Sequence, residues 1–95
     1  LAYAIPLANG NYTVRLLFAE TWFGVGTTGG AGSRLFDISI ENVLVLTNFD
    51  IYATAGGPLK AVVKTFSVTV SDGVLNISAS GNYPKFNAIE VVAGN

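Results

Sequence analysis

The stretch YTVRLLFAE (residues 12–20), followed by TWFG (residues 21–24), decides how this chain folds. Within it Val14, Leu16 and Phe18 alternate with other residues, so that they fall on one side of an extended chain. This period of two predicts a β-strand with one buried face. The strand then ends, and two large aromatic residues, Trp22 and Phe23, follow almost at once. We therefore expect a core strand that carries an aromatic pair into a loop.

Further strands are predicted on both sides of this stretch. Turn residues or loops separate six more segments rich in β-branched and aromatic residues: 2–7, 34–40, 43–49, 61–70, 74–80 and 86–92. Asparagine and glycine in residues 9–11 predict a tight hairpin turn. Residues 43–49 are apolar on both faces, which predicts a central or covered strand, and residues 50–59 are predicted to be irregular. The predicted fold class is all-β, an antiparallel jelly-roll-like β-sandwich of about seven strands.

Composition limits the organisation and the partners of the chain. Its 95 residues suit one small domain, and only 12% of them are charged, with a net charge of -1. The five basic residues are scattered and form no stripe, so we expect no nucleic-acid partner. No apolar run is long enough to span a membrane. Because the chain starts at Leu1 and has no methionine, we expect a processed or excised segment forming a single domain over residues 1–95. Few charges among many small polar residues are compatible with an extracellular or secretory location.

Most catalytic chemistry lacks its usual residues here. The chain has no histidine and no cysteine, which removes the common general base, thiolate nucleophile and metal ligands. Glycosidases need two carboxylates across a cleft, but Asp72 fits a turn, and Glu20 is the best candidate for a buried structural carboxylate. We therefore expect no enzyme activity, no catalytic residue, no cofactor and no metal. A calcium site formed by Asp50 and nearby loop carbonyls remains an open alternative.

The aromatic pair is the most distinctive functional feature. Trp22 and Phe23 at a loop on a rigid β-scaffold suit a flat, weakly polar surface such as a sugar ring. Alternatively, both rings fold back and cap the core. The loop that follows, residues 24–33, contains five glycines, which fits either mobility or the close approach of a ligand.

Four blocks, in this order, resemble the signature of malectin and malectin-like domains: NGNYTVRLLFAE (9–20), RLFDI (34–38), NFDI (48–51) and NAIEV (87–91). The resemblance implies a jelly-roll-like β-sandwich that binds carbohydrate of the glucose-oligosaccharide type without catalysis. On the family pattern, Trp22 and Phe23 match a loop aromatic pair in which Trp22 replaces a tyrosine. Asn82 matches an acidic ligand residue, and an amide can still bond sugar hydroxyls. The implied carbohydrate site is therefore Trp22, Phe23, Asn82 and Tyr83.

The chain departs from the family pattern at its front. The family domain carries tens of residues before the position that matches Tyr3, so the resemblance implies an open sandwich edge and an incomplete sugar site. A neighbouring chain that adds a strand would cover such an edge. The alternative function is therefore a self-assembling structural subunit of an extracellular assembly or filament. A third possibility is a minimal sandwich that is already closed.

Overall fold

The computed structural model describes residues 1–94, which form seven strands and one short helix. The strands are β1 (Ala2–Pro6), β2 (Gly10–Ala19), β3 (Phe36–Ile40), β4 (Val43–Phe49), β5 (Ala61–Val70), β6 (Val74–Gly81) and β7 (Ala88–Ala93), and helix α1 (Ile51–Ala55) follows β4. They build two antiparallel sheets with strand orders β1-β6-β3-β4 and β5-β2-β7. The predicted all-β, jelly-roll-like sandwich is confirmed. Within residues 1–94, no helix has the length and the apolarity needed to cross a membrane.

The core lies between the two sheets and includes the residues of β2 for which the period of two predicted burial. Val14, Leu16 and Phe18 of β2 are buried, as are the inward residues of β3 and β6. The Phe18 ring lies 4.8 Å from Phe49 and 6.1 Å from Phe36, measured between ring centroids. Aromatic contacts at such distances add to the burial of apolar area, so this cluster anchors β2 between the sheets.

Strand β2 is central in its sheet and sets the position of the loop that follows it. It pairs with β5 over its whole length and with β7 over residues 12–17. On its outer face, Arg15 forms an ion pair with Glu90 of β7, and both side chains remain about half exposed. Because both neighbours fix β2, the point where the chain leaves the sheet at Ala19 is fixed as well.

Three sequence-based expectations are wrong. Strand β4 is an edge strand with Val43 and Leu44 exposed, because an apolar run does not reveal whether another layer covers it. Residues 9–11 form no hairpin, since β1 and β2 belong to different sheets and this segment crosses between them. There the Asn9 side chain accepts a hydrogen bond from the Gly73 amide at 2.8 Å, which joins it to the β5–β6 crossover. Residues 51–55 form helix α1, which is too short to show a helical period.

Candidate functional site

A cavity of about 420 Å³ lies beyond the ends of β2 and β6, lined by Trp22, Phe23, Arg34 and Tyr83. Trp22 is 61% exposed and Tyr83 is 67% exposed, whereas Phe23 is half-buried. The Phe23 and Tyr83 rings meet edge to face with centroids 5.6 Å apart. Two separate loops thus bring three aromatic side chains to one concave surface, and neither Trp22 nor Phe23 is buried in the core.

The turn that presents the first two aromatic residues is built around Glu20. This carboxylate is fully buried, and its Oε2 atom accepts hydrogen bonds from the backbone amides of Trp22 at 3.1 Å and Phe23 at 3.2 Å. The expected role of Glu20 as a buried structural carboxylate with backbone donors is confirmed. A buried carboxylate without donors would be strongly destabilising, so the chain turns immediately after β2 to supply them.

Arg34 is the charged residue in the lining of the cavity. Its Nε atom donates to Glu20 Oε1 at 2.8 Å, and its Nη2 atom donates to Glu20 Oε2 at 3.0 Å. Its Nη1 atom donates to the backbone carbonyl of Tyr83 at 2.6 Å. The guanidinium carbon lies 5.1 Å from the centroid of the Phe23 ring, within the range of a cation–π contact. The sequence pattern did not mark Arg34 as a site residue; its position at the start of the RLFDI block was the available signal.

Burial and neighbouring groups at this site shift the pKa values of Glu20 and Lys85. Burial raises the pKa of Glu20, but the hydrogen bonds from Arg34 and from the two backbone amides lower it more, so it lies below the ordinary 4.5. Lys85 donates from Nζ to the Ala19 carbonyl at 2.7 Å and to Thr21 Oγ1 at 3.1 Å. Burial, and then the positive charge of Arg34, lower the pKa of Lys85 below 10.5. The Glu20 carboxylate therefore lies near two cationic side chains, Arg34 and Lys85, and each of these donates hydrogen bonds to oxygen acceptors.

The glycine-rich loop of residues 24–33 supports Phe23 from behind. The chain approaches the ring so closely at Gly29 that a Cβ atom there would lie 2.6 Å from Phe23 Cδ1. Gly29 also has a φ of +106°, which other residues rarely adopt. A glycine is therefore required at this position both for the conformation and for the close packing against Phe23.

Asp50 fastens the far end of this loop. Its Oδ2 atom accepts the Gly32 amide at 2.7 Å, and its Oδ1 atom accepts the Ala53 amide at 3.0 Å, capping helix α1. Both carboxylate oxygens thus have backbone partners, which accounts for Asp50 as a structural residue. Among residues 1–94, no three His, Cys, Asp or Glu side chains are grouped closely enough to hold a metal ion.

The structure brings Trp22, Phe23 and Tyr83 together around the cavity, but it places Asn82 differently. Asn82 is exposed and precedes Tyr83, yet it is not part of the lining. Its backbone amide donates to the Leu35 carbonyl at 2.8 Å, which ties the loop after β6 to the residue before β3. Asn82 therefore lies beside the aromatic surface and not within it.

This chain is similar to known proteins in both sequence and fold. Residues 1–95 match the family model of the malectin domain. This chain belongs to the malectin family. A probable leucine-rich-repeat receptor-like serine/threonine-protein kinase of Arabidopsis thaliana is 47% identical to this chain over 76 residues. The matched region is 79% of this chain and 8% of the kinase. Receptor-like protein 4 of the same plant is 35% identical over 95 residues, covering 96% of this chain and 15% of that protein.

Solved structures share the fold of the malectin chain. Bacteroides uniformis beta-glucuronidase 2 matches with a TM-score of 0.80 and 19% identity, covering 99% of this chain and 10% of the enzyme. The plant receptor-like kinase ANX2 matches with a TM-score of 0.73 and 19% identity, covering 98% of this chain and 25% of that structure. At this level of identity the likeness concerns the fold alone. This chain spans 8% of the length of the receptor-like kinase that is 47% identical to it and 15% of the length of receptor-like protein 4.

Proposed function

We propose that this malectin domain is a non-catalytic carbohydrate-binding module and that the cavity bordered by Trp22 and Tyr83 is its sugar site. One observation carries the proposal: two large, exposed aromatic side chains from separate loops face the same concave surface. Aromatic groups around a hollow, with a few polar groups at its base, are typical of small-molecule sites.

The residues supply both kinds of contact that a sugar requires. The Trp22 and Tyr83 rings can pack against the C–H face of a pyranose, and glucose-type sugars have equatorial hydroxyls that leave such faces free. Arg34 donates three of its five N–H groups to Glu20 and to the Tyr83 carbonyl and is only 8% exposed, so it serves the site by holding these two residues. The Tyr83 hydroxyl and the adjacent Asn82 amide add further polar contacts at the rim. With so few polar anchors, we expect modest affinity.

We place the domain in the extracellular or secretory part of a longer protein. Its Arabidopsis relatives are receptor-like proteins and kinases, and one solved relative is the ectodomain of ANX2. The relative named as a probable kinase is a much longer protein, of which this chain covers 8%. In this proposal residues 1–95 form a single malectin-like domain that contributes recognition and not catalysis.

Trp22 is the only tryptophan in the chain, so its fluorescence reports directly on the proposed site. Titration with glucose oligosaccharides is expected to give a saturable shift of its emission, because a bound sugar excludes water from the indole. A panel of neutral and acidic glycans that leaves the emission unchanged would refute the proposal.

Calorimetric titration of variants tests which residues bind. Trp22→Ala is expected to weaken binding at least about tenfold, which corresponds to about 1.4 kcal/mol. The matched control is Leu44→Ala, which removes an equally exposed apolar side chain from β4, away from the cavity, and should leave affinity unchanged. Equal effects of both variants would indicate that binding does not occur at Trp22.

We also propose self-association as a second function, because an apolar opening lies between the edge strands β4 and β5. It has a volume of about 280 Å³ and is lined by Ile40, Glu41, Val43, Val45, Phe66, Ser67, Val68 and Thr69. A second copy of the chain that adds a strand at this edge would cover Val43 and the inner face of β5. A filament has no support in residues 1–94 or in the relatives. A chain that sediments as a monomer at micromolar concentration would contradict self-association.

A further inference from the structure

We infer that Arg34 is a positioning residue that fastens the loop after β2 to the loop after β6 and thereby sets the separation between Trp22 and Tyr83. The inference rests on the proposed sugar site, because this separation defines the width of that cavity. The claim itself concerns the protein without ligand and can be tested in that state.

The guanidinium of Arg34 has a fixed orientation. Glu20 receives two parallel N–H groups of Arg34, at 2.8 and 3.0 Å, in a bidentate pair. Such a pair fixes the plane of the guanidinium as well as its position. Glu20 is fully buried and Arg34 is 8% exposed, so water does not compete for these contacts.

A continuous chain of hydrogen bonds joins the loop after β2 to the loop after β6. Glu20 holds the amides of Trp22 and Phe23, Arg34 holds Glu20, and the Arg34 Nη1 atom holds the Tyr83 carbonyl, with no donor–acceptor distance above 3.2 Å. The two loops also touch through the edge-to-face contact of Phe23 with Tyr83. Phe23 therefore contacts both the guanidinium of Arg34 and the ring of Tyr83.

The backbone of Tyr83 has a conformation that must be held by contacts with other residues. Tyr83 has a φ of +54°, a left-handed conformation that a residue with a side chain rarely keeps without being held. Its side chain is 67% exposed and meets the Phe23 ring edge to face. The charged hydrogen bond from Arg34 to its carbonyl holds this conformation, and hydrogen bonds from an ionised donor are stronger than neutral ones.

Arginine is required for this role because lysine cannot replace its geometry. A lysine ammonium at position 34 keeps the charge beside Glu20, but it has no planar fork that can serve a carboxylate and a carbonyl on opposite sides. Arg34→Lys is therefore expected to release Tyr83 while it retains charge compensation for Glu20. Arg15→Lys is the matched control, since Arg15 forms the exposed ion pair with Glu90 on the outer face of the sheet β5-β2-β7.

The first experiment uses the wild-type chain without ligand. The guanidinium Nη–H protons of Arg34 should give separate NMR signals, because the contacts to Glu20 and Tyr83 block rotation of the group. The same protons of Arg15, half exposed at the surface, should give averaged signals. Averaged signals from Arg34 would overturn the inference even if glycans bind.

The second experiment measures backbone order in Arg34→Lys, again without ligand. The amide order parameter at Tyr83 should fall from about 0.85 to below about 0.6, while the amides of β2 and β6 stay rigid. Arg15→Lys should leave every value unchanged. A rigid Tyr83 amide in a folded Arg34→Lys chain would overturn the inference.

The third experiment couples the residue to binding. Arg34→Lys and Tyr83→Ala should each weaken glycan binding at least about tenfold, and the double variant should bind about as Tyr83→Ala does, because Arg34 acts through Tyr83. Fully additive effects would mean that Arg34 acts independently of Tyr83. If the wild-type chain binds no glycan, the proposed function fails, and the two ligand-free measurements still decide the positioning role.

Discussion

Replacing Glu20 with glutamine removes a buried negative charge but keeps the shape of the side chain. The carboxylate accepts four N–H donors, from Arg34 Nε, Arg34 Nη2 and the amides of Trp22 and Phe23. A glutamine offers one acceptor oxygen, and its NH₂ group faces N–H donors where the second oxygen was. The positive charge of Arg34 stays buried without its counter-ion.

The structure allows the size of this effect to be worked out against an internal control. Removing one partner of a buried ion pair costs about 3–5 kcal/mol, because the other charge stays desolvated. Glu90→Gln breaks the other pair, with Arg15, whose side chains are 45% and 53% exposed, and such a pair contributes about 0–1 kcal/mol. We therefore expect Glu20→Gln to lose at least about 2 kcal/mol more than Glu90→Gln.

Urea unfolding followed by circular dichroism measures both free energies of unfolding. Circular dichroism is the better probe because the fluorescence of Trp22 responds to local changes beside Glu20. A domain of this size has a total stability of about 5–15 kcal/mol, so the expected loss is readily detected. If Glu20→Gln and Glu90→Gln lose equally little, the ion pair does not hold the site together and the reasoning is refuted.

Three further outcomes follow from the same structure. The pKa of Glu20 in the folded protein lies below its ordinary value of 4.5. Ionised Glu20 therefore stabilises the fold fully above pH 4.5, and this stabilisation is lost as the pH falls through the folded pKa. The urea midpoints of the wild type and Glu20→Gln should converge in acid. Phe18→Ala should lose about 3–5 kcal/mol of unfolding free energy from the core, whereas exposed Leu44→Ala should lose no more than about 0.5 kcal/mol. A Cβ atom at Gly81 would lie 2.7 and 2.9 Å from two backbone atoms at the start of β3, so Gly81→Ala should lower the melting temperature more than Gly26→Ala, where the space is open.

The sequence predicted those features of the fold that depend on neighbouring residues. The alternation in β2 identified its buried face, because the period of a strand is local. The position of Glu20 directly after a buried run identified it as a structural carboxylate, since a charge at that depth needs donors within the next turn. Trp22 and Phe23 were predicted to be in a loop because the strand pattern stops before them.

Features that depend on distant residues could not be predicted in this way. The edge position of β4 and the crossover at residues 9–11 are set by the pairing of strands that are far apart in sequence. Arg34 joins the site through partners 14 and 49 residues away in sequence, Glu20 and Tyr83, and no local pattern records such contacts. The family resemblance implied both Asn82 and Tyr83 for the site, and the path of the chain after β6, which no local pattern records, brings Tyr83 into the lining and leaves Asn82 beside it.

The central claim is that the aromatic cavity binds carbohydrate, and amide chemical-shift mapping during a titration with glucose oligosaccharides tests it most directly. We expect saturable shifts of the Trp22 indole signal and of the amides at Trp22, Phe23 and Tyr83, with the β4 and β5 amides unmoved. Spectra that do not change, or changes confined to the opening between β4 and β5, would contradict the account.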